Sequence, residues 1–211
     1  SLLEILILRL LKKVRQEQIV ICSSLLSRNN QFKVLAKKYG IQLFYGNDKD
    51  IFSRMINSAK KFKFNNVVRV TGDNPLTDVV AIVKMLNSHI KKKSDYTYTT
   101  NLMVGTRPEI FKVKALLKCR NLAIDKFSSE YMTYFFLRKD TFQINRFKFS
   151  EIIKDQNRIS VTVDYNKEFL LIKKILKEKG YFLRHNETLK FLKKTNNIKK
   201  VSFNRFIPLL T

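Results

Sequence analysis

Two aspartates at the ends of strand-like runs, Asp73 and Asp164, are the residues best placed to do chemistry. Asp73 lies in RVTGDNPLTD, Arg69 to Asp78, where β-branched residues give way to Gly72, then the acid, then Pro75. Asp164 ends ISVTVD, in which Ile159, Val161 and Val163 alternate with Ser160 and Thr162. In open α/β sheets ligands collect beyond the carboxyl ends of the strands. Magnesium takes one or two carboxylates and completes its shell with phosphate oxygens and water. A Mg2+ shared by Asp73 and Asp164 is therefore the expected metal site. Aspartates after strands also serve turns and helix caps, and Gly72 and Pro75 shape a turn with or without a ligand, so the pair alone leaves the chemistry open. Asp48-Lys49-Asp50 spells a DxD, but it stands at a helix start and is short enough to arise by chance.

The elements that must position these acids alternate along the chain. Leu2 to Arg15 reads as a helix and Ile19 to Cys22 as a buried strand. Gln31 to Tyr39 is a second helix, with Gly40 at the position after its end, where a residue without Cβ accepts a left-handed backbone; Ile41 to Tyr45 follows as a strand. Asp48 to Phe62 carries a helical stripe of Ile51, Phe52, Met55, Ile56, Ala59 and Phe62, and leads to a strand over Asn66 to Thr71. Asp78 to Lys93 is a helix with Val79, Ile82, Val83, Leu86 and Ile90 on one face and lysines completing its dipole, and Tyr96 to Thr100 is the next strand. This order predicts an α/β fold, a mostly parallel sheet with helices on both faces. Farther on, Lys112 to Asp125 and Ser128 to Lys139 read as helices, Phe142 to Phe149 and Arg158 to Val163 as strands, and Lys167 to Lys179 as a helix closed by Gly180. Two strands after two helices make the sheet mixed, with an antiparallel insertion or edge. One domain over residues 1–195 is expected, with 196–211 a basic tail or incomplete final element.

The 211 residues are 45% hydrophobic, enough for one substantial core. Charge interrupts every apolar run, so neither a membrane span nor a signal peptide is read. Cys22 and Cys119 lack disulfide or zinc spacing, which suits a reducing cytoplasm. The net charge of +25 raises a nucleic-acid partner, but the lysines are spread over nearly every helix rather than clustered, which describes a generally basic surface. His89 and His185 match no catalytic pattern and are expected at the surface.

VVRVTGDNPLTD resembles the "vvRiTGDcPliDp" signature of the cytidylyltransferases of bacterial surface-sugar synthesis. The likeness is greatest to the spore-coat polysaccharide type, which is similar to the acylneuraminate and 3-deoxy-manno-octulosonate enzymes. Ala36 to Phe62, SSEYMTYFF at Ser128 to Phe136, and SVTVDYNKEFLLIKKI from Ser160 resemble further family segments in matching order. The resemblance implies a Rossmann-like nucleotide-diphospho-sugar transferase fold. The implied reaction joins CTP and a sugar acid into a CMP-sugar with release of pyrophosphate, for surface polysaccharide or glycan synthesis. It implies Mg2+ on Asp73 and Asp164, phosphate support from Arg69, nucleotide-side positions at Gly46, Asp50, Arg54 and Gly72, and sugar-side acids at Glu109 and Glu130. Gly46, Asp50 and Arg54 also read as an acidic helix N-terminus stabilised by the macrodipole, with Arg54 an i+4 partner of Asp50. Relatives commonly pair, so a homodimer is a further expectation.

Three departures bear on activity. The family's first strand and its glycine- and lysine-bearing triphosphate loop, "aR.gStRlpgK.l", precede the position matched by Ser1, so the fold is expected without them. Arg107 in GTRPEIF stands where the family has an acid, while Glu109 is kept. In SSEYMT, Ser129 and Tyr131 replace arginine and histidine beside a retained Glu130. Three functions follow: a cytidylyltransferase; a noncatalytic sugar-nucleotide-binding relative on the same fold; and, least favoured, a basic nucleic-acid-binding protein.

Overall fold

A computed structural model of the chain describes residues 1–26, 30–122, 132–137, 140–150 and 156–200. The first half alternates as read: α1 (Leu2–Leu10), β1 (Val20–Ser24), α2 (Asn30–Tyr39), β2 (Gln42–Gly46), α3 (Ile51–Lys61), β3 (Asn66–Arg69), α4 (Val79–Lys91) and β4 (Tyr96–Tyr98). Then come β5 (Glu109–Lys112), α5 (Val113–Leu122), α6 (Met132–Leu137), β6 (Ile144–Arg146), β7 (Ile159–Ser160), α7 (Asn166–Lys179), α8 (His185–Lys194) and β8 (Lys199–Lys200). The mixed α/β architecture agrees with the reading. Helix α1 is shorter than read, giving way to turns and a 3-10 segment, Gln16–Gln18, before β1.

Strands β1 and β2 pair in parallel, and four further strands lie in the order β3-β5-β4-β6. The antiparallel member is β5, which pairs with β3 on one side and β4 on the other, while β6 runs parallel to β4 at the end of that order. The antiparallel strand is thus internal, at a place the sequence pattern does not mark. Alternation along β5 puts its side chains into two layers. Phe111 joins Phe52 and Met55 of α3, Leu116 and Cys119 of α5, and Phe136 of α6, whereas Ile110 joins Ala81 and Met85 of α4. Helices therefore cover both faces, the expected consequence of a period-two strand buried on both sides.

A third group of apolar side chains packs α1, α2 and α4 against β1 and β2 through Leu6, Ile7, Ile21, Ala36, Leu43 and Ile82. A fourth gathers Ile159 and Val161 with α7 and α8 through Ile172, Ile175, Leu189 and Leu192. This last layer fixes the segment that leads into Asp164. The first residues of the expected basic tail take part in it: Ile198 packs at its edge, and β8 pairs antiparallel with β7, Ser160 opposite Lys199.

Both histidines are buried rather than surface residues, His89 at 2% exposure and His185 at 1%. His89 Nδ1 is 2.8 Å from Thr97 Oγ1. His185 Nδ1 is 2.5 Å from Asp78 Oδ2, and the His185 backbone N–H donates to the same oxygen at 3.1 Å. Arg9, equally buried, donates to the carbonyls of Thr77, Leu183 and Tyr181. A polar knot thus ties α1, the start of α4 and the start of α8. Arg9, Asp78 and His185 each have a partner 68 or more residues away along the chain, so no local pattern announces the burial of these three.

Candidate active site

The signature stretch divides its acids between two tasks. Asp78 is the N-cap of α4, its Oδ1 accepting from Val80 N at 2.9 Å and Ala81 N at 3.0 Å. Burial alone would push this carboxyl up, but the His185 contact and the capping N–H groups outweigh it and hold it at about 2. Asp73 is exposed in the turn before that cap. The turn is pinned by Asn74 N to Thr71 O at 3.0 Å and Thr77 N to Asn74 O at 3.1 Å, with Leu76 buried beneath it.

The second strand end lies alongside. Val163 N donates to Asp73 O at 2.9 Å, so Asp164 is the next residue after a direct backbone bond to Asp73. The same segment is tied on its other side, by Val161 N to Val104 O at 2.9 Å and Val104 N to Ile159 O at 2.8 Å. Gly105 makes that approach possible. Its φ is +88°, and a Cβ there would lie 2.7 Å from Thr162 N. Asp164 and Val163 also line a pocket of about 300 Å3 with Leu2, Tyr165, Asn166 and Phe169.

The surroundings of Asp164 are charged. Its side chain is 52% exposed, and its Oδ2 accepts from Lys199 Nζ at 2.9 Å. The same ammonium donates to Glu168 Oε1 at 2.7 Å, while Glu168 Oε2 takes the backbone N–H groups of Asp164 and Tyr165 at 2.6 and 2.7 Å. Among the described residues no group of three or more His, Cys, Asp or Glu side chains gathers to hold a metal ion. Asp73 and Asp164, both exposed, stand at two strand ends joined through the backbone of Val163, and carboxylates are the ligand type that a hard divalent ion takes beside phosphate and water.

Arg69, expected to support the phosphates, is engaged within the sheet. It sits opposite Glu109 in the β3–β5 register and pairs with it at 2.7 Å. The other oxygen of Glu109 accepts from Tyr96 OH at 2.6 Å and Thr133 Oγ1 at 2.8 Å. Tyr96 is buried, its ring 4.7 Å from that of Phe111 and 5.2 Å from that of Phe136; such ring pairs contribute roughly 0.5–1.5 kcal/mol each beyond their burial. Burial and then the neighbouring Glu109 carboxylate push the Tyr96 phenol well above its ordinary range, so it remains a hydrogen-bond donor. Glu130 lies outside the described residues, as do Ser129 and Tyr131.

The nucleotide-side expectations find local partners. Asp50 is the N-cap of α3, accepting from Ser53 N at 2.9 Å, and its ion-pair partner is Arg120 at 3.1 Å rather than Arg54. The i,i+4 pairing is corrected because Arg54 turns back onto the carbonyls of Asn47 and Asp48 at 3.0 and 3.4 Å. Asp48 accepts from Leu26 N at 2.7 Å, so the two acids of the DxD are engaged separately. Gly46 permits the close approach of β2 to α3, since a Cβ would meet Phe44 Cε1 at 2.9 Å and Arg54 Cγ at 3.0 Å. Gly72, by contrast, is exposed with open space where a Cβ would be. Arg107, the replacement for a family acid, donates to Leu102 O at 2.7 Å and Asn157 O at 2.9 Å, and burial lowers it to about 10. It braces the loop before β5.

Lys199 and Thr133 are site neighbours that sequence reasoning did not single out. Lys199 stands in a lysine-rich tail where nothing distinguishes one ammonium from the next, and Thr133 joins Glu109 only because Phe136 docks α6 onto the sheet. No helix among the described residues is long and apolar enough to cross a membrane.

Comparison with known proteins agrees with this architecture. Residues 1–206 match the cytidylyltransferase family. An uncharacterized protein of Methanocaldococcus jannaschii is 30% identical over 205 residues, covering 96% of this chain and 84% of that protein. The spore coat polysaccharide biosynthesis protein SpsF of Bacillus subtilis is 25% identical over 121 residues, 57% of this chain and 50% of SpsF. Among solved structures, a cytidylyltransferase from Leptospira borgpetersenii superposes with a TM-score of 0.85 at 19% identity, covering 96% of this chain and 87% of that one. A CMP:2-keto-3-deoxy-manno-octonic acid synthetase complexed with CTP superposes at 0.63 with 8% identity, covering 84% and 88%. With the family matched along nearly its whole length, the chain belongs to the cytidylyltransferases.

Proposed function

We propose that the protein activates a sugar acid with CTP, giving a CMP-sugar and pyrophosphate, with Mg2+ held by Asp73 and Asp164. The observation that carries the reading is the bond from Val163 N to Asp73 O, which joins the two strand ends beside a pocket of about 300 Å3. Family membership supplies the reaction class, in which a hydroxyl attacks the α-phosphorus and pyrophosphate leaves. When bound, the divalent ion would neutralise charge gathering on the phosphate oxygens during that in-line displacement. The chain's own residues orient the reactants. Pro75 and the Asn74 turn hold Asp73 outward, Glu168 fixes the backbone of Asp164 by accepting its N–H, and Arg69, Tyr96 and Thr133 hold Glu109, the acid that the family resemblance puts on the sugar side.

The test is Mg2+-dependent pyrophosphate release from CTP across a panel of sugar acids. Release with one of them is expected, and Asp73→Asn should weaken Mg2+-dependent CTP binding on the order of tenfold, about 1.4 kcal/mol, because a neutral amide ligates this cation less well than a carboxylate. Nucleotide binding with no release under any acid would assign the noncatalytic role instead. Unchanged binding in Asp73→Asn would remove the metal assignment.

A further inference from the structure

Lys199 comes from the far end of the described chain, yet its ammonium lies 2.9 Å from one carboxylate and 2.7 Å from another at the acid-bearing strand end. Its backbone is held there by the pairing of β8 with β7, Lys199 opposite Ser160. The two carboxylates are not equivalent. Glu168 is anchored, since its second oxygen is engaged by two backbone N–H groups and its side chain is only 11% exposed. Asp164 is more than half exposed and faces the pocket. A divalent ion arriving at Asp164 repels the ammonium and competes for its carboxylate. Lys199 then keeps Glu168 and has N–H donors to spare, beside the place where the ion's remaining ligands, phosphate oxygens, must lie.

We propose that Lys199 is a phosphate-binding residue of the nucleotide site, held on Asp164 and Glu168 until metal and triphosphate enter and then donating to the triphosphate. The proposal rests on the assignment of Asp164 as a metal ligand. It gives the site a cationic group from the C-terminal side of the chain, where a triphosphate needs convergent positive charge.

Opposite signs in two binding measurements distinguish this role from a structural one. In Lys199→Met, Mn2+ alone, used as a probe by electron paramagnetic resonance, should bind roughly tenfold more tightly because a competing positive charge is gone. CTP in saturating Mg2+ should bind several-fold more weakly, and Lys199→Arg should restore both. Changes of the same sign, or no change in either, overturn the proposal. A second measurement needs no variant: acetylation of the wild-type chain by acetic anhydride, read by mass spectrometry at Lys199 with the exposed Lys173 as reference. Mg2+ alone should raise labelling of Lys199, and Mg2+ with CTP should lower it below the unliganded level; labelling that CTP does not reduce refutes the phosphate contact. Asp73→Asn separates the two ideas. If it leaves Mn2+ binding intact, the metal assignment itself fails; if it weakens Mn2+ binding while Lys199→Met has no effect, only the lysine's role fails.

Discussion

Replacing Gly105 with alanine should both destabilise the fold and disturb the acid pair, and the two effects share one cause. At φ +88° an L-residue is strained, by about 1–2 kcal/mol on the usual left-handed penalty. The added Cβ would lie 2.7 Å from Thr162 N and 2.9 Å from Val161 C, both backbone atoms that cannot rotate aside. Overpacking of this kind costs about 1–3 kcal/mol. The combined loss is roughly 3 kcal/mol, which for a chain of this size lowers the melting temperature by about 10 °C. Because the intruding methyl pushes on Val161 and Thr162, and Val163 carries the bond to Asp73, relief of the clash moves Asp164 relative to Asp73. Urea unfolding followed by circular dichroism measures the first effect. Mg2+-dependent CTP binding, measured where the variant is fully folded, reads the second. A loss below about 1 kcal/mol, or full nucleotide affinity in a clearly destabilised variant, would refute the claim that this seam sets the register of the two acids.

Gly72→Ala is the matching control: its φ is not positive and its Cβ would meet nothing within 4 Å, so stability should stay within about 0.5 kcal/mol. Weaker CTP binding by that stable variant would report close approach of a ligand to the turn, and unchanged binding would remove Gly72 from the site. The Asp78 carboxyl, at about 2 in the folded chain against an ordinary 3.8, contributes stability that is fully present above pH 3.8 and is lost as pH falls through about 2. The contribution is about 2 kcal/mol. Unfolding free energies measured from pH 5 down to pH 2 should fall less steeply in Asp78→Asn than in the parent chain, and parallel curves would deny that this group carries the dependence.

Local chemistry made half of the architecture readable. Gly40 after α2 and Asp78 before α4 act within a few residues of themselves, through a left-handed backbone in one case and N–H acceptance in the other. The stripe of Phe52, Met55, Ile56 and Ala59 likewise reports its own burial. Strand β5 escaped because EIFK is four residues long, follows Pro108 and runs directly into α5, leaving no turn to mark either end. Helix α8 escaped because its apolar residues Leu189, Phe191 and Leu192 are interleaved with lysines, and its first residue is a histidine buried by a partner 107 positions earlier. The two strand-end acids were legible as candidates; that Val163 bonds to Asp73, and that Lys199 reaches Asp164, are facts of tertiary packing with no counterpart in spacing.

The signature RVTGDNPLTD shows how a motif's residues separate once the fold is known. Arg69 is neutralised by Glu109 across the β3–β5 register. Asn74 and Thr77 shape the turn, and Asp78 caps α4 while gripping His185. Each of these is stabilised by partners within the protein, so each has a reason to be present whether or not a nucleotide ever binds. Asp73 differs. Its carbonyl is bonded to Val163, but its carboxylate makes no hydrogen bond or ion pair with the described residues and stands exposed at a turn where Thr71, Asn74 and Thr77 each make a hydrogen bond, Asn74 through its Nδ2 while its buried Oδ1 has no partner. An acid that stabilises nothing in the fold, held in place by neighbours that do, is what a site for an external cation requires. The contrast with Asp164 sharpens the point: there the carboxylate has a resident cation, Lys199, which a metal ion proposed for that carboxylate would have to displace. Substitution at Asp73 should therefore change ligand binding with little effect on unfolding, whereas substitution at Asp78 should do the reverse.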